Sequence, residues 1–157
     1  MRIIGIYPGT GILGFGVIDV EKGQATLVDA GVIRTPVKEN DAVRLLTIYD
    51  ELSEIIKATK PQEMSVEKLF FAQNVTTAMT VAQARGVVLL CGMQAGLTTA
   101  EYTPLQIKQA LTGYGRAEKK QIQEMVRVVL RLKSVPKPDD CADALAAAIT
   151  HSMNARY

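Results

Sequence analysis

The segment Arg2-Ile3-Ile4-Gly5-Ile6-Tyr7-Pro8-Gly9-Thr10-Gly11 decides how the chain begins and, with the strands and helices C-terminal to it, how it folds. Residues 2–7 are a β-branched apolar run, and Pro8-Gly9-Thr10-Gly11 is a turn signal that closes it. Residues 13–20 and 25–34 read as two further strands around the turn Glu21-Lys22-Gly23-Gln24, so the opening predicts an antiparallel meander. From Asp41 the period changes: Val43, Leu46, Ile48, Leu52, Ile55 and Ile56 follow helical spacing, and Pro61 ends that run. Residues 64–69 predict a fourth strand carrying Glu67, 74–94 a long helix ended by Gly96, and 98–102 a fifth strand. Beyond Pro104 helical spacing prevails at 105–111, 117–132 and 139–156. Strands with interspersed helices predict an α/β fold, a five-stranded mixed sheet flanked by helices. No repeat or long linker divides the chain, and residues 1–157 suit a single domain with its own core.

Hydrophobic residues are 48% and charged residues 22%, the balance of a globular protein. No secretory pattern opens the chain, and the apolar stretch 86–93 falls well short of the roughly 20 residues that span a bilayer. Cys91 and Cys141 lie in apolar or alanine-rich surroundings, which predicts buried free thiols in a cytoplasmic protein and no membrane partner. The single histidine, His151, cannot build a His-rich metal site. A metal here must be held mainly by oxygen, which points to Mg2+, with Mn2+ as a substitute, rather than to zinc. A net charge of +2 says little about partners.

Asp140 and Asp143 lie three apart at the start of the last predicted helix, which places both carboxylates on one face. Asp139, four before Asp143, satisfies the same geometry, and acidic residues at a helix start also serve simply as caps. Glu67 stands among strand apolar residues, where an unpaired carboxylate costs several kcal/mol to bury and therefore calls for a partner or a metal. An edge position in water is the alternative. Arg116, Lys120, Arg127 and Arg131 cluster on one side of a helical wheel, with Ile122, Met125, Val126 and Val129 nearly opposite. That is a basic outer face, suited to phosphates or merely solvated. Ala78, Ala82 and Gly86 recur every fourth residue as a smooth stripe on which another helix, or the protein's own sheet, packs closely.

Taken together, the ordered set of segments resembles the RuvC family of Holliday-junction resolvases, essentially end to end. The resemblance is carried by the opening Gly5-Ile6-Tyr7-Pro8-Gly9-Thr10, by Val66-Glu67-Lys68-Leu69-Phe70 and by Gln83-Ala84-Arg85-Gly86. It continues through Gln106-Ile107-Lys108-Gln109, Gly115-Arg116-Ala117-Glu118-Lys119, and Asp143-Ala144-Leu145-Ala146 running to Thr150-His151. The resemblance implies a ribonuclease-H-like fold and a homodimer that nicks four-way DNA junctions symmetrically, in recombination and repair, with two Mg2+ per active site. It implies association with a branch-migration motor. It places catalytic, metal-binding carboxylates at Glu67, Asp140 and Asp143, and a fourth at position 7, where the family has aspartate and this chain has Tyr7. Lys108 and Lys119 would approach the scissile phosphate as catalytic cations. Phe70 would stack on an unpaired base, joined in DNA binding by Lys108, Lys119, Lys120, Arg85 and Arg116, while Phe71 reads as core. The stripe through Ala82 would lie at the dimer interface, since a two-fold symmetric junction suits two sites related by the same axis.

Position 7 bears directly on activity. A two-metal site holds its ions roughly 3.5–4 Å apart and needs a bridging ligand. A carboxylate bridges readily; a phenol with pKa of about 10 is neutral at pH 7 and offers one oxygen. The expectation is a junction-specific endonuclease impaired in cleavage, with a catalytically inactive junction-binding protein as the alternative. An actin-like ATP-binding reading of the Gly-rich turn fails on length, because such proteins need a second domain that 157 residues leave no room for.

Overall fold

The computed structural model describes residues 1–69 and 75–155. In chain order they form β1 (Arg2–Tyr7), β2 (Ile12–Glu21), β3 (Gln24–Arg34), α1 (Asp41–Thr59), β4 (Glu63–Glu67), α2 (Val75–Gln94), β5 (Thr98–Tyr102), α3 (Pro104–Thr112), α4 (Lys119–Val129) and α5 (Asp139–Asn154). The sheet runs in the order β3-β2-β1-β4-β5. β1, β2 and β3 pair antiparallel, as the meander requires, whereas β1 with β4 and β4 with β5 pair parallel across helical connections. Lys22 and Gly23 both have positive φ, 51° and 77°, the backbone a two-residue hairpin demands.

Each sheet face has its own apolar layer. On one, Ile4, Ile6, Leu13, Phe15, Val17, Met64 and Val66 pack against Ile48 and Leu52 of α1 and Ala84 and Val88 of α2. On the other, Ile3 and Ile18 meet Ile107, Leu111, Ile122, Val126 and the alanine-rich α5. Helix α5 lies unusually close to the strands, and glycine is the reason. A Cβ on Gly5 would sit 2.0 Å from the Ala144 carbonyl oxygen, and one on Gly14 would sit 2.1 Å from that of Asp140. Alanines above and glycines below let the helix descend onto the sheet.

Several boundaries differ from those read in the sequence. β4 stops at Glu67 rather than residue 69, since the Lys68 N–H bonds the Tyr102 carbonyl at 2.7 Å and the ladder ends there. α4 begins at Lys119, where Glu118 and Gln121 form a capping box, and stops at Val129. Arg131 has left-handed backbone, φ 55°, so Arg131 and Arg116 both lie outside the helix and its wheel does not align them. Residues 74 and 156, expected at helix ends, lie outside the described residues. Helix α2 is long and apolar enough, by length and composition, to cross a membrane, which the shorter run at 86–93 did not suggest. Its inner residues Ala84, Val88, Cys91 and Gly92 are buried in this fold, and Arg85 at its middle is ion-paired to Glu101.

Candidate active site

β1 and β4 are parallel neighbours whose last paired residues are Ile6 and Val66, so Tyr7 and Glu67 leave the sheet side by side at its carboxyl edge. α5 starts over the same edge, with its Asp140 carbonyl against Gly14 of β2. One turn further along, Asp143 reaches a cavity of about 230 Å3 that Tyr7 and Glu67 also line. Lys108 of α3 and Lys119 at the start of α4 complete its polar wall, and Pro104, Ile107 and Ile122 supply apolar surface. Two carboxylates, a phenol and two ammonium groups thus converge from five elements.

Electrostatics follow from this crowding. Glu67 is only 8% exposed, and burial first, then the Asp143 charge, push its carboxyl up to about 8, while Lys108 and Lys119 pull the other way. Asp143 is pushed up to about 6 by burial, against the pull of Lys119, with Asp140 and Asp139 adding repulsion. Burial and the charges of Glu67, Asp143 and Asp140 raise the Tyr7 phenol to about 12, so it is neutral throughout the physiological range. The Lys119 ammonium stands 3.5 Å from Asp139 and 3.8 Å from Asp143.

Asp140 does not line the cavity, although its charge reaches both Tyr7 and Asp143. Asp139 turns toward Lys119 and Lys137. Neither caps α5 in the usual sense, because the N-cap is Pro138 and no side chain bonds the first turn. Lys120 and Arg116 are exposed and do not line this cavity; Lys120 borders a separate surface pocket with Leu111 and Met125. Arg85 lies on the opposite side of Glu67, its guanidinium 2.6 and 2.7 Å from the Glu101 carboxylate oxygens. Arg127 is likewise held by Glu124, three residues before it. Phe70 and Phe71 lie outside the described residues.

A hard divalent cation suits the chemistry of this donor set: carboxylates whose proton affinity is raised by burial and mutual repulsion, with no thiol or imidazole among them. The arrangement is nevertheless not a full cage. Among the described residues no three His, Cys, Asp or Glu side chains stand close enough to hold one ion. Tyr7 lines the same cavity and adds no charge near neutral pH.

Sequence reasoning missed a polar row on β4. Glu63, Ser65 and Glu67 alternate along the strand and so share the α5 face of the sheet, where Ser65 bonds the Ala147 carbonyl and Glu63 bonds His151. The period-two spacing of these polar residues within a buried strand was the available signal.

A mixed sheet in the order β3-β2-β1-β4-β5, with carboxylates at the end of β4 and at the start of a helix crossing it, defines a protein of ribonuclease-H-like fold. The sequence model of the family described as crossover junction endodeoxyribonuclease RuvC matches residues 3–151. A crossover junction endodeoxyribonuclease RuvC of Brevibacillus brevis is 57% identical, over 98% of this chain and 92% of its own. That of Heliobacterium modesticaldum is 54% identical, over 98% and 96%. Among solved structures, Thermus thermophilus RuvC superposes with a TM-score of 0.91 at 39% identity, covering 98% of this chain and 94% of that one. The same protein in complex with Holliday junction substrate gives 0.93 at 38% identity, covering 98% and 93%. The chain belongs to the RuvC family.

Proposed function

We propose that this chain is a nuclease of four-way DNA junctions whose cutting is held low by Tyr7. The observation that carries the reading is the convergence of Glu67 and Asp143 on one cavity with Lys108 and Lys119. Buried carboxylates that repel one another are poor as a resting arrangement and good as a cation site. Family membership supplies the substrate class, since the relatives are crossover junction endodeoxyribonucleases and the T. thermophilus protein has been solved with a Holliday junction.

Glu67 and Asp143 would hold magnesium, or manganese in its place, with Asp140 joining from the edge. The bound cation would polarise the scissile phosphate and lower the pKa of a water. The remaining work falls to the chain itself. Lys119, anchored beside Asp143, and Lys108, facing Glu67, place positive charge where the phosphate gains negative charge during attack. Ile107, Ile122 and Pro104 keep the back of the site apolar, which strengthens each of these interactions. Tyr7 contributes neither charge nor a bridging oxygen, and its ring takes up wall of the cavity that Glu67 and Asp143 share.

Two sites are needed to cut both strands symmetrically. Val75, Met79, Ala82, Gly86, Leu90 and Met93 form one exposed stripe along α2, and a Cβ on Gly86 would meet nothing within 4 Å. Gly86 therefore does not serve packing onto the chain's own sheet, whose side of α2 is Ala84, Val88 and Cys91, while Ala78 and Ala82 border a pocket beside Glu67. This supports a homodimer formed through α2. The second reading, a junction-binding protein without cleavage, is favoured by the neutral phenol at position 7. Gel shifts on a four-way junction against a linear duplex, run beside a magnesium-dependent nicking assay, test both readings. Failure to prefer the junction defeats both; binding without nicking selects the second.

A further inference from the structure

We infer that His151, together with Ser65, is a positioning residue that sets the register of α5 along β4 and so fixes Asp143 opposite Glu67. This rests on the cation-site reading and extends it to residues that do not line the cavity.

The two elements make matched contacts along their length. On β4 the residues facing α5 are Glu63, Ser65 and Glu67, two apart. On α5 their partners are His151, Ala147 and Asp143, four apart and on one helix face. Two strand residues advance about 6.6 Å and four helical residues about 6.0 Å, so the two ladders stay in step over this length. The Ser65 hydroxyl donates to the Ala147 carbonyl at 2.7 Å, with Ser65 fully buried. His151 Nε2 meets the Glu63 carboxylate, and its Nδ1 lies 2.8 Å from the Tyr102 hydroxyl. A carboxylate accepts, so Nε2 carries the hydrogen toward Glu63, while Nδ1 and the Tyr102 hydroxyl share the second bond. His151 thereby ties α5 to both β4 and β5, and the final paired position of those strands is Glu67 with Tyr102.

Apolar packing gives the side of α5 next to β1 and β4 little axial definition. There the helix presents Ala144, Ala147 and Ala148, whereas its one large sheet-facing knob, Leu145, seats over Gly16 of the more distant β2. Shallow alanine ridges resist sliding weakly. A slip by one turn would part Asp143 from Glu67 and would leave His151 buried without Glu63 and Tyr102, which is costly, while the Ser65 bond to the Ala147 carbonyl resists smaller shifts. The polar contacts thus act against the wrong register. Their effect reaches the cavity through a rigid helix, two turns away from Asp143.

The test is Mn2+ binding by the full-length chain, measured by calorimetry, with unfolding in chelator to report stability separately. His151→Ala and Ser65→Ala are each expected to weaken Mn2+ by about tenfold, the usual effect of losing a residue that orients a ligand. His151→Gln retains a donor and an acceptor and is expected to restore most of that loss. Affinity within twofold of the parent in a folded His151→Ala chain would overturn the inference, as would loss that Gln does not restore. Should His151→Ala not fold, Ser65→Ala decides by the same twofold criterion. Glu67→Gln serves as the reference: if it leaves Mn2+ binding unchanged, the cation-site reading itself fails, and the inference with it. If Glu67→Gln weakens binding while Ser65→Ala and His151→Ala do not, only the inference fails.

Discussion

Tyr7 and Glu67 end neighbouring parallel strands and face the same cavity, so the Glu67 charge falls on a phenol that burial has already made harder to ionise. No rotation of Tyr7 turns it into an anionic ligand near neutral pH, because its hydroxyl is raised to about 12. The substitution that repairs this is Tyr7→Asp, which also removes the ring from the cavity that Glu67 and Asp143 line. Transition-state stabilisation by a properly held metal is worth several kcal/mol, so magnesium-dependent junction nicking should rise on the order of a hundredfold or more. Tyr7→Phe should leave nicking at the parent level, since only the neutral hydroxyl is lost. A Tyr7→Asp chain that cuts no faster than the parent would defeat the proposal that Tyr7 holds cutting down.

The raised carboxyls make a pH prediction with a definite sign. Glu67 moves from an ordinary 4.5 to about 8, and Asp143 from 3.8 to about 6. Folded protein then holds these protons more tightly than unfolded chain does. Their contribution is fully present below about 4 and is lost as pH rises through about 6 and then about 8. Depressed groups such as Asp19, bonded to Arg2, act in the opposite sense at low pH, so the comparison should be with a variant rather than absolute. In chelator, Glu67→Gln should match the parent near pH 4.5 and exceed it by several degrees in Tm at pH 8.5, because about 1 kcal/mol moves Tm by roughly 2–4 °C at this size. Magnesium should stabilise the parent more at pH 8.5 than at pH 6, since it displaces protons. Melting curves that superpose at all pH values would show the carboxyl of Glu67 to be unperturbed.

Close approach of α5 to the sheet predicts sharp sensitivity at two glycines. Gly5→Ala drives a methyl to within 2.0 Å of a helix carbonyl, and Gly14→Ala to within 2.1 Å of the Asp140 carbonyl. Backbone on both sides leaves nothing flexible to yield, so each should cost at least the roughly 1–3 kcal/mol typical of overpacking. Gly14→Ala should in addition weaken Mn2+ binding, since relief comes by lifting the start of α5 with its aspartates. Urea unfolding and cation titration of the two variants separate these effects. An unaffected cation affinity in Gly14→Ala would mean that Asp140 and Asp143 are placed independently of β2.

What the sequence disclosed, and what it withheld, tracks the reach of its signals. The turn at Pro8-Gly9, the hairpin at Lys22-Gly23 and the helical period from Val43 are local, and each lies where its residues indicate. Glu67 and Asp143 were legible because carboxylates at those spacings resemble a known family, not because spacing alone brings them together. The start of α4 shifts to Lys119 because Glu118 and Gln121 cap it, and its far end comes early with Arg131 in left-handed backbone, which an Arg does not announce. The sequence offered His151 only as unable to build a His-rich metal site and as part of the family resemblance, and Arg85 as a DNA-binding candidate. Their partners, Glu63 and Glu101, are 88 and 16 residues away, and only the fold brings them into contact.

The apolar stripe of α2 predicts self-association. Met79 is 60% and Met93 74% exposed, on the same helix side as Ala82 and Gly86, which is a surface better covered than left in water. Ala82→Glu should convert a dimer to a monomer in sedimentation without loss of helix. Gly86→Ala makes a useful contrast: it meets nothing within the chain and improves helix propensity by about 1 kcal/mol, so unfolding of the isolated chain should not suffer. A parent protein that sediments as a monomer at micromolar concentration would exclude the α2 interface.

DNA affinity should depend on some cations and not on others, according to what already neutralises them. Lys120 and Arg116 are exposed, and among the described residues neither has an ion pair within the chain. Arg127 and Arg85 are committed to Glu124 and Glu101. A phosphate must compete with those carboxylates for the latter two, but not for the former. Each cation that contacts a phosphate in duplex DNA adds about 0.9 to the slope of log K against log salt. Lys120→Ala and Arg116→Ala should therefore each flatten the salt dependence of junction binding by about that amount, whereas Arg127→Ala and Arg85→Ala should leave it nearly unchanged. Equal flattening by all four would show that the two ion pairs open when DNA arrives.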